Sequence, residues 1–282
     1  HALYLPRDWV AGKRFPVIVE YAGNGPYRNK YGDVSDGTVE GAVMGYGLSG
    51  GEGYIWLSLP CVDAERTKNQ VTWWGDVPTT LSYCREAIDD VVAHWGGDRQ
   101  AVLLAGFSRG AIACNYLGLQ TDAAAAPWRA FFAHSHYDGV RRWNFDGSDR
   151  TSALERLSRL RGRPVWVSHE AGSAKPGADV VAETRAYLES TGIDLGSFTF
   201  KLIPIRNHTG AWLLQDRPER AAARAWLRRV MEESGTSPQS GRMSTISITP
   251  IESRVDEIEW LSRTLAKKMK ATVIHPGSDE KP

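Results

Sequence analysis

A chain of 282 residues can bury a large core, and its length alone permits one big domain or two small ones. Its formal net charge of +1, with cations interspersed among acids as in Arg217-Pro218-Glu219-Arg220, excludes the clustered basic surface of a nucleic-acid binder. No run approaches the ~18 apolar residues of a membrane span.

The chain opens at His1-Ala2-Leu3-Tyr4-Leu5-Pro6, already strand-like and without a visible signal peptide. That opening is compatible with a lost targeting segment, and a secreted or periplasmic location is favoured over a cytoplasmic one. Short β-rich runs follow at 15–21, 54–59, 101–105, 130–133, 164–168 and 198–203. Amphipathic stretches at 80–95, 109–119, 152–160, 180–190 and 218–233 alternate with them, the pattern of a mostly parallel sheet covered by helices. Residues 23–53 stand apart: rich in Gly, Tyr and Asp, aperiodic, and too long for a routine connection, they read as a lid or pocket wall. Past Gly235 a linker-like stretch (236–241) precedes a short strand (245–248), an amphipathic helix (252–268) and a polar end. The expected organisation is one domain over 1–235 and an extension over 236–282 that packs on it or on a second copy of the chain.

Three cysteines, Cys61, Cys84 and Cys114, have no metal-ligand spacing; they form one disulfide, Cys61–Cys84 being the preferred pair, or remain three buried thiols. Several of the eleven tryptophans fall in presumed loops, where aromatic rings often line ligand clefts.

The pentapeptide G-x-S-x-G occurs at Gly47-Leu48-Ser49-Gly50-Gly51 and at Gly106-Phe107-Ser108-Arg109-Gly110. Its chemistry demands a strand entering and a helix leaving, so that a strained turn lifts the hydroxyl above the sheet edge. Ser49 is expected to have neither beside it. Ser108 follows the apolar run 101–105 and precedes the helix-forming Ala111-Ile112-Ala113-Cys114-Asn115-Tyr116-Leu117, which makes it the candidate nucleophile, against the plainer reading of a turn serine. A helix N-terminus beneath it favours developing negative charge.

Strand, Gly106–Gly110 turn and helix resemble the nucleophile elbow of the α/β-hydrolases, and the order of elements from about residue 16 to 229 follows that family. Tyr4-Leu5-Pro6 and Phe15-Pro16-Val17-Ile18-Val19 resemble the openings of secreted esterases, polyhydroxyalkanoate depolymerases and prolyl-oligopeptidase-like catalytic domains. The resemblance implies a parallel sheet with helices on both faces, a Ser-His-acid hydrolase, and no cofactor. Its chain order, Ser then acid then His, implies that His208, after the last strand, is the base. The acid belongs on the loop after the strand before last, where Glu170 is the first carboxylate; Asp179 and Asp138 remain alternatives. The oxyanion hole would take one backbone N–H from Arg109 and another from Gly23 or Asn24, in the turn Ala22-Gly23-Asn24-Gly25-Pro26 that replaces the family's His-Gly pair.

Around these, Trp74, His136, Asp138 and Tyr27, with Tyr31, are expected to wall a polar, aromatic acyl or sugar pocket, although Trp74 reads equally as core. The Arg109 side chain would meet an acidic substrate group or, more plainly, support the site from behind. The substrate expected is a small-molecule or carbohydrate ester rather than an amide, since the chain lacks room for an oligopeptidase propeller. Peptidase or lactonase chemistry on the same residues is the nearest alternative. A metal-dependent hydrolase using His134, His136, Asp138, His169 and Glu170 is a further one, without a recognised zinc spacing. A non-catalytic binding module on the same fold is the last.

Overall fold

The structure is a computed structural model that describes residues 1–172, 180–232 and 271–273. Asp179, the linker at 236–241, the expected strand at 245–248 and the expected helix at 252–268 lie outside the described residues.

Among the described residues eight strands build the main sheet: β1 (Ala2–Tyr4), β2 (Phe15–Tyr21), β3 (Ile55–Leu59), β4 (Gly97–Phe107), β5 (Ala130–His134), β6 (Val165–Glu170), β7 (Phe198–Ile203) and β8 (Ala271–Val273). Their order is β7-β6-β5-β4-β2-β3-β1-β8. The run from β7 to β3 is parallel; β1 is antiparallel to β3, and β8 is antiparallel to β1, with Ala2 opposite Val273. A strand thus occupies part of the stretch read from sequence as a polar end.

Burial on both faces explains why these strands are continuous apolar runs. Along β4, Val102 and Leu104 point into one apolar layer while Ala101, Leu103 and Ala105 point into the other. The first layer packs under α2 (Val77–His94), α3 (Arg109–Tyr116), α4 (Arg150–Leu157) and α5 (Val180–Glu189). The second packs under α1 (Met44–Ser49) and α6 (Pro218–Glu232), where Trp226 meets Phe132 and Trp166 of the sheet.

α2 begins three residues before its apolar periodicity does. The Asp76 side chain accepts from Thr79 N at 2.9 Å and Pro78 occupies the first turn, so the cap sets the start and not the buried stripe. The long segment 23–53 is also more structured than its composition predicts. It holds a small hairpin, Tyr27–Arg28 against Val34–Ser35, and the helix α1. The N-terminus of α1 rests on the buried Glu20 carboxylate, which accepts from the N–H groups of Val43, Met44 and Gly45 at 3.2, 3.0 and 2.8 Å. Burial nevertheless outweighs those bonds and pushes the Glu20 carboxyl up to about 7.

Cys61, Cys84 and Cys114 are all free and buried, so the Cys61–Cys84 disulfide gives way to the alternative of three thiols. Burial in apolar surroundings pushes the Cys84 thiol up to about 12, which keeps it unreactive.

The chain leaves β2 for β3 on one side and returns to β4 on the other. The strand order therefore reverses between β2 and β4, and the crevice at their carboxyl ends is where open α/β sheets take ligands. Tyr21 ends β2 there, and Ser108 follows β4.

Candidate active site

The turn after β4 is as tight as its glycines suggest. Ser108 adopts φ 55° and ψ −111°, a strained conformation for a residue with a side chain. A Cβ on Gly106 would stand 2.1 Å from the carbonyl carbon of Gly110, and a Cβ on Gly110 only 1.8 Å from the Tyr21 carbonyl oxygen. Both glycines are therefore required, one by the bend itself and one by its close approach to the end of β2. Ser49 has no such setting. It ends the helix α1, a helix that sequence reading did not foresee, and its hydroxyl accepts from Gly51 N at 3.0 Å.

His208 lies in the loop beyond β7 and presents Nε2 to Ser108 Oγ at 3.1 Å. Its Nδ1 is 2.5 Å from Oε1 of Glu170, the last residue of β6. A carboxylate only accepts, so Nδ1 carries the proton and the bare Nε2 faces the serine hydroxyl. The hydroxyl of Ser135, just after β5, lies 3.0 Å from Glu170 Oε1 and 2.8 Å from His208 Nδ1. Ser135 is fully buried and held at φ 87°. Three adjacent parallel strands thus end in one polar knot, at positions 135, 170 and 208 of the sequence.

Burial alone would raise the Glu170 carboxyl, but the His208 hydrogen bond and the imidazoles of His134, His169 and His208 reverse this and hold it near 2. His169 Nδ1 donates to the Glu170 carbonyl at 2.9 Å. His134 donates from Nε2 to the Thr209 carbonyl at 3.1 Å and accepts at Nδ1 from the Ser168 hydroxyl at 3.0 Å. Desolvation lowers His134 to about 4, so it stands neutral in the interior.

Among the other predicted residues, some meet at this site and some do not. Tyr27 sets its ring edge-on to His208, with centroids 5.5 Å apart, and His136 lies 5.5 Å from the same imidazole. Burial pushes His136 down to about 3, which leaves an uncharged ring with one donor and one acceptor nitrogen. Tyr31 instead accepts from Arg206 Nη2 at 2.9 Å. Asp138 is no part of the pocket: its two oxygens accept from Arg156 Nε and Nη2 at 2.8 and 3.1 Å in a buried pair. Trp74 is core, stacked on Tyr116 at 4.6 Å. The half-buried neighbour Trp73 contacts Trp143 at 5.8 Å, and Trp143 contacts His136 at 5.0 Å, which makes an aromatic wall leading to His208. Nothing in the Trp73-Trp74 pair marked which ring would turn outward.

The Gly23-Asn24 turn lies against Phe107, the residue before Ser108. A Cβ on Gly23 would meet the Phe107 ring at 3.0 Å, and Asn24 Oδ1 accepts from Trp73 N at 2.8 Å. The Arg109 side chain is buried. Its guanidinium donates to the carbonyls of Ala22, Gly37, Gln70 and Trp73 at 2.8 to 3.2 Å and so ties together the loops that wall the site. Among the described residues, no three His, Cys, Asp or Glu side chains converge to hold a metal. His134 has both nitrogens engaged and Asp138 is paired with Arg156. No helix of the described residues is long and apolar enough to cross a membrane.

No family model matches the chain, and no curated protein matches it. Among solved structures it is similar to an S-formylglutathione hydrolase from Agrobacterium tumefaciens, at 13% identity and TM-score 0.53, over 83% of this chain and 89% of that one. It is also similar to Porphyromonas gingivalis dipeptidyl peptidase 4, at 14% identity and TM-score 0.50, over 82% of this chain and 33% of that one. A thermostable esterase matches at 13% identity and TM-score 0.47, over 80% of this chain; the chain spans 58% of that protein's length. With its reversed strand order, its parallel sheet and its helices on both faces, the chain has the α/β-hydrolase fold.

Proposed function

We propose that this protein is a serine hydrolase that cleaves a carboxylic ester through an acyl-enzyme, with Ser108 as nucleophile, His208 as base and Glu170 as the acid that orients it. The observation that carries the reading is the run of hydrogen bonds from Ser108 Oγ through His208 to Glu170, at 3.1 and 2.5 Å.

In the first step His208 Nε2 takes the Ser108 proton while Oγ adds to the ester carbonyl. The backbone N–H groups of Arg109 and of Gly23 or Asn24 are the donors for the resulting oxyanion, and the N-terminus of α3 adds its dipole. Collapse expels the alcohol, which takes the proton from His208. Water, deprotonated by the same imidazole, then releases the carboxylic acid and restores the serine. Glu170 stays ionised throughout and stabilises the imidazolium. No cofactor enters this cycle. Hydrolysis of an activated acyl group, ester or thioester, is supported by the likeness to a protein named as an S-formylglutathione hydrolase, most of whose length this chain covers. The uncharged His136 and the Trp73–Trp143 wall suit a small-molecule or carbohydrate ester.

A panel of p-nitrophenyl esters of rising chain length, with acetylated and feruloylated sugars, tests the reading alongside labelling by a fluorophosphonate. Ser108→Ala should lower kcat by about a million-fold and abolish labelling. Hydrolysis that survives this substitution would overturn the assignment. Turnover of peptides or lactones in place of every ester would keep the three residues and change the substrate.

A further inference from the structure

We propose that Asp33 is a positioning residue for His208, a role that rests on His208 being the base. Asp33 sits in the small hairpin within 23–53 and is only 5% exposed. Its Oδ2 accepts from the backbone N–H of His208 at 2.9 Å, and its Oδ1 accepts from Asn207 Nδ2 at 2.6 Å. The carboxylate is itself held in place. Asn29 Nδ2 donates to Oδ2 at 2.7 Å, and Asn29 Oδ1 accepts from Asp33 N at 3.2 Å and Tyr31 N at 2.9 Å.

The need for such a clamp follows from where His208 is mounted. β7 ends at Ile203 and the next regular turn begins at Gly210, so neither a strand ladder nor a helix fixes this backbone. Two side chains from distant parts of the chain grip it. Asp33 takes the N–H of His208 on one side, and His134 donates to the following carbonyl, that of Thr209, at 3.1 Å on the other. Asn207 adds a bond from Nδ2 to the Tyr31 carbonyl at 3.1 Å. A carboxylate suits the position because it accepts from three N–H donors at once, and charge-assisted bonds are roughly twice as strong as neutral ones. The hairpin also carries Tyr27, whose ring stands against the His208 imidazole, so one element sets both the backbone and the ring of the base.

Misplacement of a catalytic group by about 1 Å can cost about 10²-fold in rate. Asp33→Ala should therefore lower kcat by roughly 10- to 100-fold and slow fluorophosphonate labelling in proportion. KM should stay within about threefold of its starting value, since the clamp binds no substrate. Asp33→Asn, a neutral and weaker acceptor, should fall between the two and speed exchange of the His208 amide proton in NMR. A kcat for Asp33→Ala within twofold of the unsubstituted enzyme, or a loss confined to KM, would overturn the proposal. Should Asp33→Ala fail to fold, Asp33→Asn decides: kcat and His208 amide exchange both unchanged would sink it. An unsubstituted protein that neither turns over esters nor labels at Ser108 would remove the catalytic reading on which the proposal rests. Labelling at equal rates in all three proteins would remove the positioning role alone.

Discussion

Glu170 meets His208 at 2.5 Å across the ends of β6 and the loop beyond β7, while Asp138, the competing carboxylate, is locked to Arg156 at 2.8 Å. The two acids therefore differ in what their loss should do. Glu170→Gln should leave the fold intact and lower kcat by about 10⁴-fold, because the imidazole loses its tautomer and its partner. Asp138→Asn should instead destabilise the protein by about 3–5 kcal/mol, through an uncompensated buried guanidinium. Paired kinetic and denaturant-unfolding measurements separate the two; a catalytic defect specific to Asp138→Asn would reverse the assignment.

Acid acts on this protein through opposed groups: Glu20, raised from 4.5 to about 7 by burial, adds stability as pH falls from 7 toward 4.5, whereas His134, His136 (lowered from 6.5 to about 3) and Glu170 lose it. His134 has its pKa lowered from 6.5 to about 4 in the fold, so between those values the unfolded chain binds a proton that the native state refuses. The His134 contribution is therefore present above about pH 6.5 and is lost as pH falls toward 4. Glu170, lowered from 4.5 to about 2, adds a further loss as pH drops through that lower window. Urea unfolding from pH 7 to 4 should show His134→Gln with a shallower slope than the parent; equal slopes would contradict the account.

The turn at Ser108 tolerates no side chain at Gly110. Gly110→Ala would set a methyl 1.8 Å from the Tyr21 carbonyl oxygen, an overlap of rigid backbone that cannot relax without shifting β2 or α3. Activity should fall below detection and the melting temperature should drop. Gly162→Ala, where no atom lies within 4 Å, adds a methyl with no clash and only the strain of its own positive φ of 71°, and should do far less. Similar effects for the two substitutions would discount the close approach.

Arg109→Lys should not be conservative. The guanidinium spans four carbonyls of separate loops, and a lysine ammonium has three donors on a point charge. A loss of about 3 kcal/mol or more is expected from the abandoned charge-assisted bonds. Protease sensitivity should rise within 23–53 and around Val71. Retention of stability would argue that water replaces the missing donors at no cost.

The tryptophan pair divides in the same way. Trp74→Ala should cost about 3–5 kcal/mol of stability as a core truncation. Trp73→Ala should cost less stability and raise KM, because it opens the wall beside Trp143. Steady-state kinetics with thermal melts decide between these roles.

Much of this molecule could be read from the order of its residues alone. Strands buried on both faces must be unbroken apolar runs, and amphipathic helices must alternate with them, so the α/β architecture follows from local pattern. A serine between glycines, after such a strand and before such a helix, has few geometries open to it. The identity of the carboxylate, the tryptophan that faces outward, and the parts played by Asp33 and Ser135 lie beyond that pattern. Each depends on which strand ends become neighbours. Only the sheet order brings residues 135, 170 and 208 within hydrogen-bonding distance of one another, only the packing of the hairpin sets Asp33 on the backbone of His208, and no local periodicity encodes contacts made between loops.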